Sequence, residues 1–412
     1  MSEWAHVPNR LATLSAMVVS ISWGCSEVDV GRGSFTTRDS AGVVIVENHN
    51  PAWASGAGWR VSSVALLSIG LAEGDSTHQL YQVTAAARLA PDTIVIVNAG
   101  TSEVRWYDAD GHFIRSIGRQ GAGPGEFSRM GPGSMCVLPE RNLLIADPIQ
   151  QRANVFTPAG EFVDVIRLAG DAAFPSIQGC FADGSLLGWR SVGSPERVPG
   201  TIIQSQFVWS RLGADGERIA DLASLPSSPQ YLLDQGDGTA TYHTIPFTVR
   251  PSAAAGPDRL YSAPGGPPLI ETRRLDGSLE MAIRWEPAER VKSAEVLERY
   301  RSYTIDSQDR PDRRSQWSKF FDLDLEAPED VASVQTLKVD DLGHVWAERY
   351  RLPWDSSAIW DVFTPEGRWL GGVGLPPGLR PLHIGGDFVL GVSRDELGVE
   401  RVKVHGLDRI AK

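Results

Sequence analysis

At 412 residues the chain could hold two or three domains, although all-β folds often exceed the usual domain size as one unit. A net charge of −12 and a pI near 5.2 argue against bulk binding to a phosphate backbone, which needs a basic face. The 42 Gly, 27 Pro and 13 Trp suit many short strands and turns rather than long helices.

The first 25 residues read as an export signal. Arg10 precedes an apolar run, Leu11 to Ile21, too short for a comfortable membrane span. Ser22-Trp23-Gly24-Cys25 follows, and a small residue before Cys is the pattern of a bacterial lipoprotein signal, with Cys25 the lipidated residue. A simple secretory signal or an apolar N-terminal strand remain the alternatives. Residues 26–38 read as a linker, and 39–412 as one domain. No later segment is apolar enough to span a bilayer, so any membrane contact is expected through the lipid alone.

Two hairpin types alternate along the rest of the chain. The inner type appears at 85–98, 135–147, 178–190, 256–264, 337–349 and 383–394. The outer type appears at 104–117, 153–168, 207–222, 269–285 and 360–374, with turns DADG, TPAG, GADG, LDG and TPEG. Asp can bond its own backbone and Gly accepts positive φ, so these are tight-turn sequences between half-buried alternating strands. The sixth outer unit has one strand, Val399 to Val404. Its missing strand matches Trp59 to Gly70, which resembles the HFIRSIG strand of the first outer hairpin. Four strands per unit, at a spacing of roughly 40 to 50 residues, predict a six-bladed β-propeller of four-stranded antiparallel blades. Its ring is expected to be closed by the N-terminal strand, which protects the last edge. Two insertions stretch the period. Residues 223–254 read as a long loop, and 286–334 as a helix from about Pro287 to Tyr303 ended by a charged stretch.

The crossing GRQGAGPGEF (118–127), with DADG before it, resembles the NHL-type repeat of six-bladed propellers. With DSAGVVIVEN (39–48), WDVFTPEGRWL (360–370) and LGVERVKVHGL (397–407), the chain is similar to bacterial exported six-bladed propeller proteins, many of them lipoproteins. The resemblance covers about residues 39–410. It implies a fold and a cell-envelope address, and it assigns no reaction.

Candidate chemistry comes from aligning the repeats. The ends of the second strands of the inner hairpins are expected on one disc face, around a central channel. The candidate rim there is Asn98, Asp147, Arg152, Arg190, Arg349, Arg351, Trp354 and Arg394. Guanidinium forks suit carboxylate, sulfate or phosphate, and Trp354 is a possible ligand platform. The plainer reading is salt bridges between blades. Trp106, Trp346, Trp360 and Trp369 read as packing residues. No metal site and no cofactor are assigned: His112, His243, His344, His383 and His405 are scattered without an i, i+4 pair. The acidic pairs Asp108/Asp110 and Asp340/Asp341 read as turn residues. Cys136 and Cys180 could pair, but equivalent positions on adjacent blades are expected to be too far apart, which favours two separate thiols.

Two functions stay in play. The first is a monomeric envelope binding or scaffold protein recognising a small anionic ligand or a protein partner, and no nucleic acid. The second is a lactonase-like hydrolase or lyase, for which the resemblance implies a channel calcium or zinc.

Overall fold

Residues 35–409 are described in the computed structural model, except 55–56, 91–92, 132, 169–175, 194–195, 288–293, 324 and 326–330. The signal sequence and Cys25 lie outside the described residues.

The chain builds six successive antiparallel sheets, each with four strands of the repeat. The first five span 83–117, 135–167, 176–226, 252–285 and 334–374. The sixth joins Arg380–Ile384, Phe388–Arg394 and Glu400–Asp408 to Arg60–Ile69 from the other end of the chain. That pairing runs antiparallel from Val402↔Ile69 to Asp408↔Arg60. The N-terminal strand is thus the outermost strand of the last sheet, as the repeat count predicts.

All five outer turns carry their glycine in the left-handed region, at Gly111, Gly160, Gly216, Gly277 and Gly367. Each also lies against an outer strand of another sheet. A Cβ on Gly277 would sit 2.7 Å from the carbonyl oxygen of Asp221 in the third sheet. One on Gly111, in the first sheet, would sit 3.0 Å from Leu67 in the last. The turn sequence is therefore set by packing as well as by φ. In the crossing, Phe127 is fully buried between the first and second sheets.

Six apolar clusters hold the sheets, and each pools residues from two of them. One joins Tyr261, Ile283 and Trp285 of the fourth sheet to Val334, Val345 and Phe363 of the fifth. Another joins Ile94, Ile96 and Tyr107 of the first to Phe388, Leu390, Val402 and Ile69 of the last. Trp106, Trp346, Trp360 and Trp369 are buried in these clusters, as expected. Each such side chain contributes roughly 1.5–3 kcal/mol of burial.

Three sequence expectations are corrected. First, Cys136 and Cys180 form a disulfide, with Cα atoms 5.9 Å apart. The first strands of the second and third sheets run side by side, so matching positions meet there. Second, 223–254 is not a long loop. Arg218–Pro226 is the fourth strand of the third sheet, and Gln230–Asp234, Ala240–Thr244 and Ile202–Ile203 form a separate three-stranded sheet. Third, 286–334 contains two helices, α1 (Ala294–Asp306) and α2 (Pro311–Phe321). The first helix does end where the charged stretch begins, at Asp306, but that stretch then starts α2, with Pro311 in its first turn. The apolar residues of α2 pack on the small sheet, a contact too distant in sequence to be read locally: Phe320 joins Leu233 and Ile245.

The N-terminal segment does more than supply one strand. Phe35–Ser40 and Val43–Asn48 form a hairpin, so strand structure begins within the stretch assigned to a linker. The hairpin adds to the outer edge of the fourth sheet by parallel pairing with Leu279–Trp285. Asn48 then binds across to the fifth sheet: its amide donates to the carbonyls of Arg284 (3.1 Å) and Gly367 (3.0 Å), and its Oδ1 accepts from Trp369 N–H (2.8 Å). Ala52 and Trp53 donate backbone bonds to Trp369 and Leu370 before the chain reaches the sixth sheet. Asn48 is 2 % exposed. Asn48→Ala is expected to cost about 1–3 kcal/mol by leaving these groups unpaired. Arg38→Ala on the exposed strand of the hairpin is expected to leave stability almost unchanged. Urea midpoints of the two variants check both.

Candidate functional site

Six of the eight rim candidates lie on strands of their sheets, Arg351 and Trp354 lie in the loop after Val345–Arg349, and most are satisfied by neighbouring groups. Arg190 donates to Ser210 Oγ (2.6 Å) and to both oxygens of Asp221 (3.2 and 3.1 Å) in the third sheet. These bonds hold the Asp221 carboxyl down at about 2, against the opposing effect of its burial. Arg349 forms a bidentate pair with buried Asp361 (2.8 and 2.7 Å) in the fifth. Arg394 pairs with Glu400 in the sixth, and Glu400 also accepts the N–H of Val83 (2.6 Å). Arg351 pairs with Glu348 (2.8 Å). Arg152 donates to the carbonyls of Gly123 and Glu126. Asn98 and Asp147 are buried acceptors for chain entering their sheets: Tyr81 N–H reaches Asn98, and Ser128 N–H reaches Asp147. Trp354 carries Arg299 of α1 on its face, 4.3 Å from the ring centroid, and so helps hold that helix. Of the eight, Arg351 lines one of the two chambers described next.

Those chambers are about 740 and 640 Å³. Trp189, Phe207 and Arg250 line both, so the chambers meet at that wall. The larger runs under α1 and the small sheet, past Tyr300, Thr244, Gln230, Gln335 and Arg351. The smaller runs between the second and third sheets, past Arg129, Ser134, Gln178 and Trp209. Among the described lining residues none is Asp or Glu. Arg129 and Arg250 are exposed, and neither guanidinium has a hydrogen bond or ion pair among the described residues. Arg250 lies 5.7 Å over the Phe207 ring, which also meets Trp189 at 5.1 Å and Trp209 at 6.3 Å. Ser134 is 2 % exposed, and its hydroxyl has no partner among the described residues. Such a group asks for water or a polar ligand atom.

Arg129 and Arg250 escape a reading aimed at second-strand ends, because each lies just ahead of a first strand, Met135–Val137 or Ser252–Ala255. Local sequence marks neither, because Arg129 lies six residues ahead of its strand and Arg250 two, so they share no repeat position.

The described first strands of the six sheets do not suit a hard divalent cation, which needs several oxygen ligands. Their charged or titratable side chains are Arg88, Lys338, Arg380 and His383, with no Asp or Glu. Burial and nearby Arg380 push the Lys338 amine down to about 8. Asp108, Asp110 and His112 do come together, but on an outer turn, where Asp108 accepts the backbone N–H of the other two (3.0 and 2.8 Å).

His243 sits between the small sheet and α2. Its ring stacks on Phe320 (4.9 Å) and meets the Trp317 edge (4.5 Å). Nε2 is 3.1 Å from Thr241 Oγ1, and Nδ1 is buried without a partner. Burial lowers its pKa below the usual histidine value of 6.5. The unfolded chain therefore takes up the proton first, so stability from this site is intact above pH 6.5. It is lost as pH falls from 6.5 through the folded-state value. Protection factors of α2 amides, taken relative to the intrinsic exchange rate at each pH, are expected to fall between pH 7 and 5, and His243→Phe is expected to remove much of that change.

No family model matches the chain, and no curated protein matches its sequence. Solved structures do resemble it. A member of the DUF4221 family from Bacteroides vulgatus aligns over 86% of this chain and 99% of its own, at 9% identity and a TM-score of 0.47. A catalytically inactive virginiamycin B lyase from Staphylococcus aureus aligns over 91% and 100%, at 9% identity and 0.41. A gluconolactonase from Xanthomonas campestris aligns over 87% and 92%, at 14% identity and 0.39. At these values the likenesses assign neither a family nor an activity.

Proposed function

We propose that the six sheets are the blades of one six-bladed, NHL-like β-propeller, closed by Arg60–Ile69. The chain is then a monomeric exported protein of the cell envelope, tethered by lipid at Cys25. The six clusters support the ring, because each sheet shares one cluster with each of two others. The Cys136–Cys180 disulfide supports an oxidising compartment. No described helix is long and apolar enough to cross a membrane.

Its function on this reading is to bind an anionic small molecule, or an anionic group of a protein partner, in the two-chambered cleft. The observation that carries it is the charge of the lining: Arg129 and Arg250, neither paired among the described residues, with no carboxylate among the described lining residues, in a chain of net charge −12. The metal-dependent hydrolase or lyase reading draws no support from first strands whose fixed charges are all basic.

Citrate and inorganic phosphate are suitable probes. In calorimetric titration of the whole chain at low salt, at least one is expected to bind. The double variant Arg129→Ala/Arg250→Ala is expected to weaken that binding ~10-fold or more at an unchanged unfolding midpoint. Absence of binding, or equal binding by the variant, rejects the cleft. For the anchor, Cys25→Ala is expected to move the protein from the membrane to the soluble fraction; unchanged fractionation rejects lipidation.

A further inference from the structure

The lining of the larger chamber narrows the ligand beyond its charge. Half of its described lining residues are Ser, Thr or Gln. Ser191, Ser205 and Ser227 form a hydroxyl chain (3.1 and 3.2 Å). Gln230 and Gln335 also line the chamber, and their side-chain amides have no partner among the described residues. Hydroxyls and amides both donate and accept, so such a wall matches a ligand whose surface does the same. Trp189 is half-buried and faces both chambers, so it offers an aromatic surface where they meet. Arg250 and Trp189 flank the same ring, Phe207, which sets a cation beside that surface.

An extended peptide is the competing occupant. Peptides that add to a sheet need a free strand edge. Gln206–Leu212 and Gln230–Asp234 are paired on both sides, whereas Ala240–Thr244 and Val334–Val339 are each paired on one side, so triglutamate is the comparator that separates the two.

We propose that the cleft binds an acidic saccharide: a uronic-acid ring stacked on Trp189, its carboxylate on Arg250 and its hydroxyls on the Ser and Gln wall. This rests on the anionic-ligand reading of the same cleft and adds the chemistry of the ring. Arg129 and the unpartnered Ser134 hydroxyl in the second chamber provide for a further sugar, so an oligomer is favoured over a monomer.

The test is calorimetry on the whole chain with trimers of galacturonate, mannuronate and glucuronate. Maltotriose, triglutamate and citrate are the comparators. At least one uronate trimer is expected to bind ~10-fold or more tightly than maltotriose and triglutamate. Trp189→Leu and Arg250→Ala are each expected to weaken it ~10-fold or more, while Trp189→Tyr keeps most of the affinity. If Trp189→Leu does not fold, the double variant Gln230→Ala/Gln335→Ala, which alters exposed and half-buried side chains, supplies the second reading. Triglutamate or citrate binding through Arg250 as tightly as every uronate overturns the saccharide and leaves an anion cleft standing. Uronate binding insensitive to both Trp189→Leu and the Gln double variant overturns the stacked geometry. Failure of every anion to bind overturns both readings.

Discussion

Every four-stranded sheet in this protein is apolar on both faces, and that constraint governs the rest. The strand Thr93–Asn98 shows it: Ile94 and Ile96 face one cluster, while Val95 and Val97 face another. Such a strand cannot stop at a single neighbour without exposing a run of branched side chains to water. The same holds for Trp346 and Ala347, adjacent residues that enter the clusters on opposite sides of the fifth sheet. Burial thus fixes order, and the turns, crossings and outer hairpins serve that order.

This is also why the repeats were legible. The glycines of the five outer turns recur, the crossing that ends at Phe127 adds a clear junction, and local chemistry marks both. What escaped is what depends on distant partners. The 35–48 hairpin pairs with a strand more than 230 residues away, so its role cannot be seen in its own alternation. The helix α2 has a low density of apolar residues, and Trp317 and Phe320 make sense only against Leu233, Ile245 and His243. The disulfide has a related cause: the first strands crowd together, which brings Cys136 and Cys180 within reach although the repeat itself does not show that spacing.

The candidate site teaches the same lesson in charge. Arginines at second-strand ends are conspicuous in the aligned repeats, and the fold uses most of them as internal ties. Arg349 neutralises a carboxylate that is almost wholly buried, which leaves it little to offer a ligand. Arg129 and Arg250 are less conspicuous in sequence, but the described lining they share contains no Asp or Glu. Pairing separates a structural arginine from a recruiting one, and pairing is a property of the folded molecule.

The last sheet has a consequence for how the molecule is made. Its outermost strand, Arg60–Ile69, is synthesised long before its partner, Glu400–Asp408. Until then the early strand lacks its partner, with Val64 and Leu66 on it and apolar even in the finished fold, where each is 73% exposed. The native sheet therefore cannot be completed until Glu400–Asp408 has been made. Contacts of such sequence separation form slowly. The last sheet is accordingly the part of the fold that waits longest for its own chain, and its apolar early strand is the segment in most need of protection meanwhile.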